Sequence, residues 1–165
     1  MASQLPAILD SPLGKYRVRQ LIGGSTHKGS AIVAGTEHQD DGVVIKFELI
    51  DCSSSRLEKG ASIYRSLAGT AGVPFVHCSG TSWPYRFMVL DCLGPDLEAL
   101  HTYCKHTFTL KTILQLADQL LSFIEDIHSQ SYILCNIEPK SFAIGLGKFV
   151  NQIFGIRLHH SVRLP

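Results

Sequence analysis

The sequence predicts an α+β fold, strand-rich in its first part and helical in its second. Three observations predict it. Short apolar runs joined by glycine- and aspartate-bearing turns recur between Tyr16 and Leu90, as strands of one sheet do. From Leu110 to Ser129 apolar residues return at intervals of three and four, the period of one helix face. Beyond that helix a polar loop, Leu134 to Ser141, opens into the apolar run Phe142 to Ile144, which can return as a strand.

The bulk properties narrow the class. A chain of 165 residues is large enough for one domain with a real core. A net charge of +1 points to neither a nucleic-acid nor an anionic-membrane partner. Five cysteines with no C-x-x-C pair argue against a disulfide frame or a zinc site and for a reducing compartment. Met1 to Pro12 lacks a basic start followed by an apolar run, and no apolar run approaches the ~20 residues of a membrane span. An intracellular protein, cytoplasmic or nuclear, is the expectation. A mean hydropathy of +0.13 is apolar for a chain with 18% charged residues. An ordinary core reaches this value, and so does part of a larger core whose covering elements are missing.

Taken in order, Met1 to Lys15 carries Pro6, Pro12 and Gly14 and reads as a flexible lead-in. Tyr16 to Ile22 alternates apolar and polar residues, which suits an edge strand. A glycine turn, Gly23 to Gly29, leads to a second strand, Ala31 to Ala34. Asp40-Asp41-Gly42 is a turn before the strand Val43 to Phe47. A helix is expected over Arg56 to Leu67, with Leu57, Ala61, Tyr64 and Leu67 on one face. Val73 to His77 and Tyr85 to Leu90 read as the last two of five strands, with Trp83-Pro84 packing in the turn between them. Pro95-Asp96 opens a short helix, and Thr109 or a nearby polar residue caps the long one. On that long helix Leu110, Ile113, Leu114, Ala117, Leu120, Leu121, Ile124 and Ile127 form one continuous stripe in need of a partner surface. His128 stands in its last turn, where the helix dipole favours a cation.

Leu93-Gly94-Pro95-Asp96-Leu97-Glu98, Phe108-Thr109-Leu110-Lys111-Thr112, Ala117-Asp118-Gln119 and Gly145-Leu146-Gly147 give the chain a resemblance to the casein kinase I family of serine/threonine protein kinases. The resemblance runs from about Tyr16 to Phe154 and covers less than a whole kinase domain. It implies a protein kinase-like fold: a five-stranded N-terminal lobe over 16–90, a hinge over 91–94 and the beginning of a helical C-terminal lobe over 95–154. Residues 1–15 stay outside as a flexible segment, and 155–165 form a tail unlike the family.

Residue by residue, the resemblance implies an ATP site on Gly24, Gly29, Lys46, Leu90 and Leu93. Counting back from Lys46 sets Gly24 and Gly29 at the first and third glycines of the phosphate-covering loop and Thr26 at the second, with one extra residue absorbed near Gly23. Val43-Val44-Ile45-Lys46 matches the strand whose lysine reaches the α- and β-phosphates. The glutamate that would pair with Lys46 falls on Gly60, and Glu58 lies ~200° away round the helix. Leu90 stands at the gatekeeper and Asp91 to Gly94 at the hinge. Cys92 reads as an ordinary buried thiol.

Against the pattern H-R-D-x-K-P-x-N, Leu134, Cys135 and Asn136 stand at H-R-D, Glu138 at the lysine, Pro139 is kept, and Ser141 replaces the asparagine. Arg157 falls where the aspartate of D-F-G would stand. Asn136 at the proton-acceptor position is not basic near neutral pH. Ser141 and Arg157 hold the two magnesium-ligand positions, and magnesium wants oxygen ligands, usually carboxylates. Glu138 repels the phosphate that a lysine would attract. The sequence therefore predicts a truncated pseudokinase with no intact catalytic residue, weak residual ATP binding and no magnesium site. Two alternatives stay open. One is an active ATP-dependent kinase whose natural chain is longer; the other is an interaction module whose partner protein covers the open stripe of the 110–129 helix.

Overall fold

The computed structural model describes residues 8–11, 14–25, 30–36, 42–50, 55–83 and 85–164, with side chains from residue 42 onward. The fold is α+β. The chain divides into two compact units, one of residues 1–62 and 75–92, the other of residues 63–74 and 93–165.

The first unit is built on an antiparallel sheet in the order β1-β2-β3-β4-β6-β5. Its strands are β1 (Ile8–Ser11), β2 (Gly14–Ser25), β3 (Ser30–Thr36), β4 (Val43–Leu49), β5 (Val76–Ser82) and β6 (Tyr85–Asp91). The β-branched run Val43-Val44-Ile45 makes β4 a central strand, paired with β3 on one side and β6 on the other. Strand alternation sends Val43, Ile45 and Phe47 to one face, where they pack with Cys78, Tyr85, Phe87 and Val89. Phe47 meets Tyr85 edge to face at 6.1 Å.

Three sequence expectations need correction here. The sheet has six strands, because Ile8–Ser11, inside the stretch read as a lead-in, pairs with β2 through Leu9 and Tyr16. The strand expected at Val73 to His77 begins at Val76 and runs on to Ser82. Its register is set from the other end by the pairing of Ser82 with Tyr85, and Pro74 has no N–H to offer a ladder. Trp83 does not pack: it is 80% exposed at the tip of the β5–β6 turn, beyond the last paired residues. The β2–β3 ladder shifts register twice, between Val18 and Gln20 and between Leu21 and Gly23, the second shift leaving Ile22 without a partner in it.

Helix α1 (Arg56–Ser66) contributes its first turns to the first unit and its last residues to the second. The second unit then holds α2 (Leu97–Tyr103), α3 (Leu110–Ser129) and the short strands β7 (Tyr132–Ile133), β8 (Phe142–Ile144), β9 (Ile153–Gly155) and β10 (Val162–Arg163). Each of the two later helices starts on a side-chain cap. Asp96 accepts from the Ala99 amide at 2.8 Å, and Thr109 from the Thr112 amide at 3.2 Å. Strand β8 pairs with β9, and β10 returns antiparallel to β7.

The core of this unit gathers round Phe123. Its ring stands edge-on to Phe142 at 6.0 Å and lies against the backbone of Gly72 and Gly155. A Cβ on Gly72, whose φ is +76°, would come within 2.7 Å of the Ile153 carbonyl oxygen. Glycine is needed there for both conformation and space. The stripe expected along α3 packs only in part, through Ile127 and the half-buried Leu120 and Ile124. Phe123 and Ile127 are buried, whereas Leu110, Ile113, Leu114 and Leu121 are exposed. The large ring of Phe123 and the glycines that admit it draw the later part of the helix into the core, while Leu110, Ile113 and Leu114 stay open.

Candidate functional site

In the first unit Lys46 lies half-buried in mid-strand, across from Ile32 on β3 and Met88 on β6. Leu90 is buried opposite Val44, so Lys46 and Leu90 share one face of the sheet. Gly24 lies on β2 opposite Ala31, next to the β2–β3 turn. Gly29 and Thr26, and the Asp40-Asp41 turn, lie outside the described residues.

The same face carries Glu48, which the sequence analysis did not single out. It is buried, and its carboxylate accepts the Ser55 hydroxyl and the Leu57 amide, the latter at 3.1 Å. Ser55 in turn accepts the Glu58 amide at 2.9 Å, the bond of a helix N-cap. A strand carboxylate thus holds the first turn of α1, where free amides and the helix dipole favour negative charge. Glu58 is exposed and Gly60 buried. The signal was present in the sequence: a glutamate two places after Lys46 in an apolar strand must share the lysine's face.

At the end of β6 the Asp91 carboxylate binds His77 Nε2 at 2.8 Å and accepts the Phe75 amide at 2.9 Å. The Asp91 amide donates to the Phe75 carbonyl and the Cys92 amide to that of Gly42, both at 3.2 Å. The Asp91 carboxylate and the Asp91 and Cys92 amides are thus engaged inside the first unit. Burial pushes the Cys92 thiol up, in keeping with an unreactive cysteine. Leu93 and Gly94 belong to the second unit, where the Gly94 amide donates to Ile144 O at 2.8 Å.

The second unit brings together three of the residues read as altered catalytic positions. Glu138 Oε1 accepts Arg157 Nη1 at 2.7 Å and Asn136 Nδ2 at 3.1 Å. Glu138 is the sole carboxylate between Leu134 and Ser141, and both its donors are protein side chains. Pro139 opens a 3-10 turn that closes with the Ser141 amide on Glu138 O at 2.8 Å. Ser141 is apart from the cluster. Its hydroxyl is buried and has no hydrogen-bond partner among the described residues.

Residues 155–164, which resemble nothing in the family, are built into the same unit. The Ile156 amide donates to Ser141 O at 2.8 Å, Leu158 is buried, and the Leu164 amide donates to Ser131 O at 2.7 Å. Between those anchors Arg157 reaches back to the loop. Tyr64, fully buried, points its hydroxyl at Gly155 O at 3.4 Å, and burial pushes its phenol well above the usual range. Among the described residues no helix is long and apolar enough to cross a membrane. No family model matches the chain.

Proposed function

We propose that this chain is a casein kinase I-like protein whose phosphotransfer chemistry has been lost. The observation that carries the reading is the closed cluster of Asn136, Glu138 and Arg157. Phosphoryl transfer asks the protein chiefly for positioning and for neutralisation of charge, with one group to receive the hydroxyl proton. Asn136, at the proton-acceptor position, is an amide that donates to Glu138. Glu138 is neutralised by Arg157, so neither residue is a free base. General-base help is typically worth 10²–10⁴-fold, and its loss is large.

The residues at the two metal-ligand positions do not fit magnesium. Arg157 is itself a cation, and the Ser141 hydroxyl is buried. A hard divalent ion takes oxygen ligands in near-octahedral geometry, and a guanidinium supplies none. What remains for nucleotide is Lys46, with Leu90 on the same sheet face, and this supports weak, metal-independent binding rather than turnover.

The test has two arms. In the first, purified protein is incubated with radiolabelled ATP and casein beside a Lys46→Ala control, and no label above that control is expected. In the second, thermal unfolding is followed during ATP titration with and without Mg²⁺, and any rise in Tm should be the same in both. Labelling of casein by the wild type alone, or stabilisation that requires Mg²⁺, would overturn the proposal.

A further inference from the structure

We propose that α3 is a self-association surface, and that two copies of this chain pair through antiparallel α3 helices. Leu110, Leu114, Ala117, Leu121, Ile124 and His128 recur at alternating intervals of four and three, the spacing of a coiled-coil seam. This seam runs beside the face that α3 uses within its own unit, and of its residues Ile124 is half-buried while the others are exposed. That face carries Phe123 and Ile127, which are buried. On the seam Leu110 is 71%, Leu114 61% and Leu121 67% exposed, and Ala117 is open as well. An apolar row of this length on a helix of 20 residues, about 30 Å, is more than scattered surface leucines.

The residues beside the seam name the occupant. Lys111, Asp118 and Glu125 follow one another at intervals of seven along one flank; on the other Ile113 is exposed, Leu120 half-buried and Ile127 buried within its own unit. In a parallel pair the charged flank would lie against the partner's apolar flank. In an antiparallel pair like flanks meet, so Lys111 faces the partner's Glu125, and two-fold symmetry makes that contact twice. Asp118 comes near the partner's Asp118 once, at the dyad, so two attractions stand against one repulsion. Opposed helix dipoles favour the same orientation. The small side chain of Ala117 lies opposite the partner's Leu121 and lets the helices close. The inference stands on α3 alone and is independent of the kinase-like reading.

Sedimentation velocity of the full chain over a wide concentration range tests it. A reversible monomer–dimer equilibrium is expected. Leu121→Glu places a charge in the seam and should raise the dissociation constant on the order of 100-fold, with helical content by circular dichroism unchanged because the site is exposed. Lys111→Glu and Glu125→Lys should each weaken the homodimer by roughly two- to thirtyfold across the two symmetry-related pairs. An equimolar mixture of those two variants should regain wild-type affinity, because both 111–125 pairs are then opposite in sign and the Asp118 contact is unchanged. The inference is overturned by a chain that stays monomeric, by a dimer indifferent to Leu121→Glu, or by a mixture no tighter than its separate components.

Discussion

Two residues whose charges run opposite to those expected at their positions find each other across the chain. Glu138 stands where a lysine is expected, Arg157 where an aspartate is, and they lie 2.7 Å apart. Reversing either charge alone would set like charges against each other in this loop; reversing both would keep an ion pair. Both side chains are about 40% exposed, so solvent screens the pair and its worth is ~0.2–1 kcal/mol. A double-mutant cycle in urea should show it. Glu138→Arg and Arg157→Glu are each expected to destabilise by roughly 1 kcal/mol, and the double variant to recover most of the loss. Additive losses would mean that the contact carries no coupling. Glu48 makes the complementary point: a carboxylate placed by strand alternation serves a helix start rather than Lys46 in every bond resolved for it.

At the level of elements, α3 separates what a period can say from what packing decides. Its bounds, Leu110 to Ser129, and its Thr109 cap follow from the sequence. Its orientation follows only in part, because Ile127 of the expected stripe is buried while Phe123, outside that stripe, carries the packing. Phe123→Ala should therefore cost ~3–5 kcal/mol, the range for a buried aromatic. Leu114→Ala, on the open seam, should cost within about 0.5 kcal/mol when measured at concentrations where the chain is monomeric. Chemical denaturation of the two variants side by side checks this, and equal losses would place the core on the wrong face. The short pairing of β10 with β7 belongs to the same lesson. Two residues, Val162 and Arg163, read as tail until Tyr132 and Ile133 supply the backbone groups they pair with.

For the molecule as a whole, the proposed function turns on whether the residues of the 134–141 loop and Arg157 account for the expected lack of phosphotransfer. A variant carrying Asn136→Asp, Glu138→Lys, Ser141→Asn and Arg157→Asp would put carboxylates where the amide and the guanidinium now stand. It would also keep an opposite-charge pair between positions 138 and 157. Its thermal stabilisation by ATP should become Mg²⁺-dependent, unlike that of the wild type. A folded variant whose response to ATP ignores Mg²⁺ would count against the kinase-like frame itself, not only against the loop.

Local chemistry and periodicity were enough for the α+β class, for β4 and β6, and for α3 with its cap. These depend on neighbours a few places apart, and a sequence displays such neighbours directly. Tertiary structure alone decided the contacts made at a distance. Arg157 meets Glu138 across 19 residues, the Phe123 ring rests on Gly72 and Gly155, and Ile8–Ser11 gains its strand from Tyr16 and its neighbours. Each of those outcomes is a choice among several locally acceptable partners, and the energy that makes the choice exists only once the partners are brought together.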